Sequence, residues 1–184
     1  LSTLQGYKIA TTEAAHFTGS LQSVLENIQD STSDLGTDLI LVSSGGLDNV
    51  ALQTGNEAFE VLKATMSFLN TNIAGHSLFS GAATDQLALK NANDLRTELR
   101  NVSVGVNGAS SKTTAIQNWF ADPSGFDATI YGGSGIGMSP FQLSESEALT
   151  VDIKATNPEL KDTLKNLAIA GIAADKTLTV NNTE

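Results

Sequence analysis

The sequence has no cysteine, few basic residues and few aromatic residues. It contains 10 Lys and Arg against 20 Asp and Glu, which gives a net charge of −10 over 184 residues. Without cysteine the chain can form neither disulfides nor thiol-based metal and catalytic sites. The acidic balance repels phosphate backbones and argues against nucleic acid as a partner. Because aromatic residues make up only 5 % of the sequence, we expect Leu, Ile, Val and Ala to form most of the core.

Long apolar runs are also missing. The longest run, residues 167–174, is much shorter than the ~18 residues that a membrane-spanning helix needs. We therefore expect no membrane partner. A globular chain of this length buries about 70 % of its unfolded surface, which is sufficient for a core without disulfides or metals.

Two apolar repeats in the first half of the chain predict long helices. Their members recur at steps of three and four residues over three heptads, as in a narrow helix–helix seam. The first repeat contains Leu21, Leu25, Ile28, Leu35, Leu39 and Val42, and the second contains Leu52, Phe59, Leu62, Met66, Leu69 and Ile73. Glycines at 45–46 separate them and favour an antiparallel hairpin. The seam predicts either an ordinary helical bundle core or a rod that packs against further helices.

The second half of the chain predicts a small sheet. Three segments alternate apolar and polar residues as strands do: 126–131, 139–144 and 148–153. We expect them to form a short antiparallel sheet within about 126–154. The glycine-rich loop, residues 132–137, would then be a flexible connection between the first two strands.

A helix over about 158–174 is expected to cover this sheet, because Asn157 and Pro158 form a strong helix start. The predicted fold is α+β, with a long antiparallel helical hairpin followed by a small sheet covered by helices. Residues 1–80 would form a rod-like, coiled-coil-like unit, and residues 81–184 would form an outer unit.

The motifs that carry chemistry are incomplete. The glycine-rich loop lacks the third glycine of a dinucleotide fingerprint and the lysine of a phosphate loop. Ser134 lacks the second glycine of a nucleophile elbow, and His16 and His76 each stand alone without metal-ligand spacing. We therefore expect no enzyme activity, and the prediction names no catalytic residue, cofactor or metal.

The segment that follows the second helix resembles the flagellin superfamily. The resemblance is carried by a heptad seam followed by Asn72, Gly75, Leu78, Phe79, Ser80 and Gly81. Within that superfamily the sequence is most similar to the hook–filament junction family, hook-associated protein 3, of alphaproteobacteria. Residues 118–134 and 139–173 are similar to later segments of that family and follow in the same order.

The resemblance implies a structural subunit of the bacterial flagellum that joins hook to filament by self-assembly. Its implied partners are the hook-side junction protein, flagellin and its own copies, with an export chaperone for the full-length protein. It also implies an extracellular location, reached through the flagellar channel without a cleavable signal peptide.

For the corner residues, the resemblance implies a turn out of the rod. Gly75 would end the second helix, Leu78 and Phe79 would be pinned by packing, and Gly81 would let the chain enter the outer unit. The resemblance further implies a core fragment that lacks both terminal polymerisation segments. The seam would then lack its third helix.

Two other functions stay open at this point. A filament flagellin is the alternative within the same superfamily. A secreted carbohydrate-binding adhesin is the more distant alternative, with Trp119, Phe120 and Phe141 as its stacking platform.

Overall fold

The computed structural model describes residues 2–43 and 48–172. Its first two helices are long and contact each other: α1 is Ser2–Ser43 and α2 is Asp48–Leu69. With a rise of 1.5 Å per residue, α1 is about 63 Å long. Residues 44–47, which include the predicted glycine break, lie outside the described residues. The long antiparallel hairpin therefore stays a prediction.

Helix α1 is longer than the apolar repeat alone predicts. It begins at Ser2, well before Leu21, and the apolar spacing continues backwards through Phe17 and Ala14. Both of these side chains are buried. The helix therefore has a long N-terminal part that the sequence analysis did not assign.

Helix α2 is shorter than predicted, since it ends at Leu69. Ile73 was placed on this helix, which is wrong, because it lies in a strand. The side chain of Asn70 makes two hydrogen bonds just after the helix end. Its Nδ2 donates to the Leu89 backbone oxygen at 2.9 Å, and its Oδ1 accepts from the Leu89 amide at 2.8 Å. These bonds tie the residue that follows α2 to the backbone of Leu89.

Within the described ranges, shorter helices follow: α3 at Ala92–Ser103, α4 at Ala109–Ala121, α5 at Phe126–Thr129 and α6 at Pro158–Ile172. Helix α3 has a side-chain cap, since Asn91 Oδ1 accepts from the Asn93 and Asp94 amides at 2.9 and 3.1 Å. Helix α6 begins at Pro158 as predicted. The last residues of the predicted helix, after Ile172, lie outside the described part of the chain.

In the described ranges the strands are short and form two antiparallel hairpins. Strand β1 (Asn72–Ile73) pairs with β2 (His76–Ser77), and β3 (Phe141–Gln142) pairs with β4 (Ala148–Leu149). The described residues are thus mostly helical with small two-stranded sheets, so the fold is α+β.

The predicted sheet over 126–154 is wrong in its first strand, because that segment forms α5. Phe126 and Ile130 are both fully buried, whereas Ala128 between them is exposed. This burial matches the i,i+4 spacing of a helical turn and not the i,i+2 spacing of a strand. Stacking of Phe126 on Phe120, with ring centroids 5.0 Å apart, stabilises the helical turn.

One buried cluster extends from α1 through the corner to α6. Helix α6 packs mainly against α2, and not across the small sheet as predicted. Gly171 permits this approach, because a Cβ at that position would lie 3.3 Å from the Phe59 Cβ. The expectation that the seam lacks a third helix is therefore wrong for α2, since α6 supplies it.

Candidate functional site: the helix seam, the corner and a basic groove

Much of the predicted helix seam is buried. The predicted residues that expose 5 % or less of their surface are Leu21, Ile28, Leu35, Leu62, Met66 and Leu69. Those that are half-buried are Leu25, Leu52, Phe59 and Ile73. The side chains of Leu39 and Val42 lie outside the described part of the structure.

The sequence analysis missed residues that belong to the seam. The buried line passes through Val24 on α1 and Ala58 on α2, each next to the half-buried residue that was predicted. Positions 17, 21, 24 and 28 alternate steps of four and three, so the same spacing rule contains the signal for Phe17 and Val24. Phe17 extends the seam to the second hairpin, where its ring centroid lies 5.6 Å from that of Phe141.

The corner segment, residues 70–90, begins with a tight hairpin. Ala74 and Gly75 connect β1 to β2 with φ values of +51° and +86°, the two positive values that a type I′ turn requires. Gly75 was predicted to end α2, which is wrong, because α2 ends before this hairpin begins. Asn72 pairs with Ser77 across the hairpin.

Leu78 and Phe79 lie in the buried part of the corner segment, with 3 % and 0 % of their surface exposed. The Leu78 amide donates to the Thr71 backbone oxygen at 3.1 Å, and the Phe79 backbone oxygen accepts from the Ala155 amide at 2.9 Å. The corner segment is thus closed by a hydrogen bond within itself and is bonded to the chain that leads into α6.

The glycine-rich loop packs directly on the corner segment. The Ser134 amide donates to the Ser80 backbone oxygen at 2.8 Å, and the Ala82 amide donates to the Ile136 backbone oxygen at 2.9 Å. Gly81 lies between these bonds with a φ of +61°, and a Cβ there would lie 2.5 Å from the Ile136 oxygen and 2.6 Å from the Ser134 oxygen. The prediction of a flexible connection between two strands is wrong, since the loop is packed and joins α5 to β3.

Tyr131 fixes the start of this loop. Its hydroxyl donates to the Ser134 backbone oxygen at 2.9 Å, and its backbone pairs with Leu89 in an antiparallel bridge. Burial raises the pKa of the Tyr131 hydroxyl from 10.0 to about 12, with smaller contributions from the negative charges of Asp152 and Asp127. The folded chain therefore favours the neutral phenol, which is the form that can donate this bond.

The side chains of Ser134 and His76 lie close to polar groups of nearby residues. Ser134 Oγ accepts from the Ile136 amide at 3.0 Å, and His76 Nδ1 lies 3.2 Å from Thr84 Oγ1. His16 is exposed on α1. Among the residues that the structure describes, no three His, Cys, Asp or Glu side chains are grouped to hold a metal ion.

The aromatic residues of the alternative carbohydrate platform are used in packing. Phe120 is 1 % exposed, and Trp119 meets it edge-on with ring centroids 5.1 Å apart. Phe141 packs against Phe17 instead. The predicted platform is therefore wrong in Phe120, whose buried ring has no face to offer a sugar.

A groove of about 830 Å³ lies between α2, α3 and α6. Its lining combines apolar with basic side chains, among them Phe59, Met66, Leu99, Lys63, Lys90 and Arg96. The sequence analysis missed this groove because its walls come from three distant segments.

None of the helices in the described ranges has the length and apolar character needed to cross a membrane. No protein-family model matches the chain, and no curated protein or solved structure matches it either.

Proposed function

We propose that this chain is a structural subunit of the bacterial flagellum at the junction between hook and filament. It acts by self-assembly and by packing against neighbouring axial proteins: the hook-side junction protein, flagellin and its own copies. In this proposal α1 and α2 form a rod-like antiparallel hairpin within residues 1–80, and residues 81–184 form the outer unit. The protein is extracellular, and an export chaperone accompanies the full-length protein to the flagellar channel. It is not an enzyme.

The observation that carries the proposal is the distribution of burial along α1. Its buried residues run from Ala14 to Leu35, whereas in the part before Ala14 only Tyr7 and Ala10 are half-buried. Steps of three and four residues continue the seam through these two positions. The spacing therefore continues into a part of α1 that holds no buried residue, which supports packing of that part against helices of neighbouring subunits.

A filament flagellin is the second candidate, because the same seam and corner resemble the whole superfamily. The carbohydrate-binding adhesin is less well supported, because the Phe120 ring lies in the core. The two flagellar candidates differ in what the cell loses when the protein is absent.

Deletion of the parent gene, followed by electron microscopy of the cell surface, tests the proposal. Bare hooks with unpolymerised flagellin in the medium would support a junction subunit. Loss of filaments without secreted flagellin would support a filament flagellin. Normal filaments and swimming, with no related gene able to substitute, would contradict both.

A matched pair of variants ties this phenotype to α1. Restoring the deleted gene with Ala10→Asp should fail to rebuild filaments, because the substitution places a charge on the extended seam. Thr11→Asp, which adds the same charge at the exposed neighbouring position, should rebuild them. Equal rescue by both variants would contradict packing through this part of α1.

A further inference from the structure

The groove between α2, α3 and α6 has a positive rim, although the chain as a whole has a net charge of −10. Among the described residues, Lys63, Lys90 and Arg96 line it, against one acidic residue, Glu60. Three of the ten basic residues of the chain are therefore gathered around one groove. Clustering of this kind creates a local positive potential that attracts acidic partners.

The rim is placed to receive carboxylates. The Lys63 ammonium lies 3.6 Å from the Glu60 carboxylate, but these side chains are 64 % and 70 % exposed, so the pair is weak and can be exchanged. Lys90 is also exposed. The Arg96 guanidinium carbon lies 4.8 Å from the Phe59 ring centroid, and this cation–π contact holds the charge at the wall of the groove.

Helix α1 carries a matching row of negative charge. Glu26, Asp30, Asp34 and Asp38 follow one another at i,i+4 steps, and all except the half-buried Asp38 are exposed. We call these four residues the acidic ladder. Like charges at this spacing repel one another and destabilise a helix, so a partner that neutralises them would be favoured.

The acidic ladder and the groove are similar in length and opposite in charge. Residues 26–38 of α1 extend over about 18 Å, and residues 56–67, which give the α2 wall of the groove, extend over about 17 Å. A helix laid along a groove between helices is a common mode of recognition.

We infer that the acidic ladder of one copy of this chain docks in the basic groove of a second copy. The two surfaces differ, so repetition of the contact from copy to copy builds a ring or an open row of subunits. The contact names a subunit interface for the assembly proposed above and rests on that proposal for its biological role.

Sedimentation velocity of the full chain over a range of concentrations tests the contact. The wild-type chain should associate at an ionic strength of about 0.15 M and dissociate at about 1 M, where the Debye length falls to about 3 Å. The variant Lys63→Glu/Lys90→Glu and the variant Asp30→Lys/Asp34→Lys should each raise the dissociation constant at least about tenfold.

Control variants separate this contact from a general charge effect. Lys8→Glu and Glu145→Lys are single charge reversals at exposed positions outside the groove and the ladder, and they should leave the dissociation constant within about twofold of wild type. Their matched partners are the single variants Lys90→Glu and Asp34→Lys. Far-UV circular dichroism should show the same helix content in every variant, so that a loss of association is not a loss of folding.

Mixing gives the sharpest test. Neither charge-reversed double variant should associate alone, but an equimolar mixture should, because each reversed surface then meets its complement. A wild-type chain that stays monomeric, controls that weaken association as much as their partners, or a mixture that stays monomeric would overturn the inference. The outcome is independent of the deletion phenotype, so failure of the flagellar role and failure of this contact are distinguishable.

Discussion

Replacing Gly81 by alanine tests whether the glycine-rich loop is held against the corner. Gly81 has a φ of +61°, and an alanine in the left-handed region costs about 1–2 kcal/mol. The new Cβ would also lie 2.5 and 2.6 Å from two backbone oxygens of the loop, so the loop must move. That movement disrupts two backbone hydrogen bonds, each contributing about 0.5–1.5 kcal/mol. We therefore expect the free energy of unfolding to fall by about 2–5 kcal/mol.

Gly75→Ala is the matched control. Gly75 also has a positive φ, +86°, but a Cβ there would have no atom within 4 Å, so only the backbone strain of about 1–2 kcal/mol is expected. Urea unfolding followed by far-UV circular dichroism measures both variants, with equal slopes required before the midpoints are compared. If Gly81→Ala lowered the stability no more than Gly75→Ala does, the loop would not lie on the corner in solution.

Other substitutions test separate contacts. Asn70→Ala should lower the free energy of unfolding by about 2–4 kcal/mol, because it leaves a buried backbone amide and carbonyl without partners. An unchanged urea midpoint would contradict this. Gly19→Ala should raise the stability by about 0.5–1 kcal/mol, because this glycine is inside α1 and its Cβ would have no atom within 4 Å. Gly171→Ala should stabilise less than Gly19→Ala does, because its Cβ would lie 3.3 Å from the Phe59 Cβ of α2. Thermal unfolding that ranks these two glycine variants in the opposite order would disprove the close approach. The raised pKa of Tyr131 predicts a contribution to stability that is complete below pH 10.0 and is lost as the pH rises through about 12. In a Tyr7→Phe variant, alkaline titration of the tyrosinate absorbance should show a midpoint near 12, and a midpoint near 10.0 would mean that the phenol is solvated.

The seam could be predicted from the sequence because its signal is local. Leu21, Ile28 and Leu35 recur at the helical period, and burial of one face is the direct consequence of that period. The error at neighbouring positions, Leu25 for Val24, has a physical reason. Steps of four and then three residues (21, 25, 28) fit the same repeat as steps of three and then four (21, 24, 28), so the spacing alone does not choose between Leu25 and Val24.

The hydrogen bonds of the corner segment could not be predicted in the same way. Ala82 bonds to Ile136, far along the chain, and Asn70 bonds to Leu89, 19 residues away. Local patterns do not specify such partners, because they depend on how the chain closes its loops. Residues 126–131 do alternate apolar and polar residues as a strand does. Packing of the Phe126 ring on Phe120 nevertheless favours a helical turn over a strand.

Helix α2 contributes residues to the seam and to the groove, and it leads into the corner segment. A variant that tests the groove must therefore leave the packing of the seam intact. Leu62 is fully buried in the core, and the next residue, Lys63, lines the groove with an exposed side chain. Because adjacent helical residues point about 100° apart, reversing the charge at Lys63 leaves the packing of Leu62 in place. Lys63→Glu should therefore impair association without the loss of about 2–5 kcal/mol expected for Leu62→Ala. If Lys63→Glu reduced the free energy of unfolding by a comparable amount, groove variants would measure folding, and the proposed docking contact would lose its support.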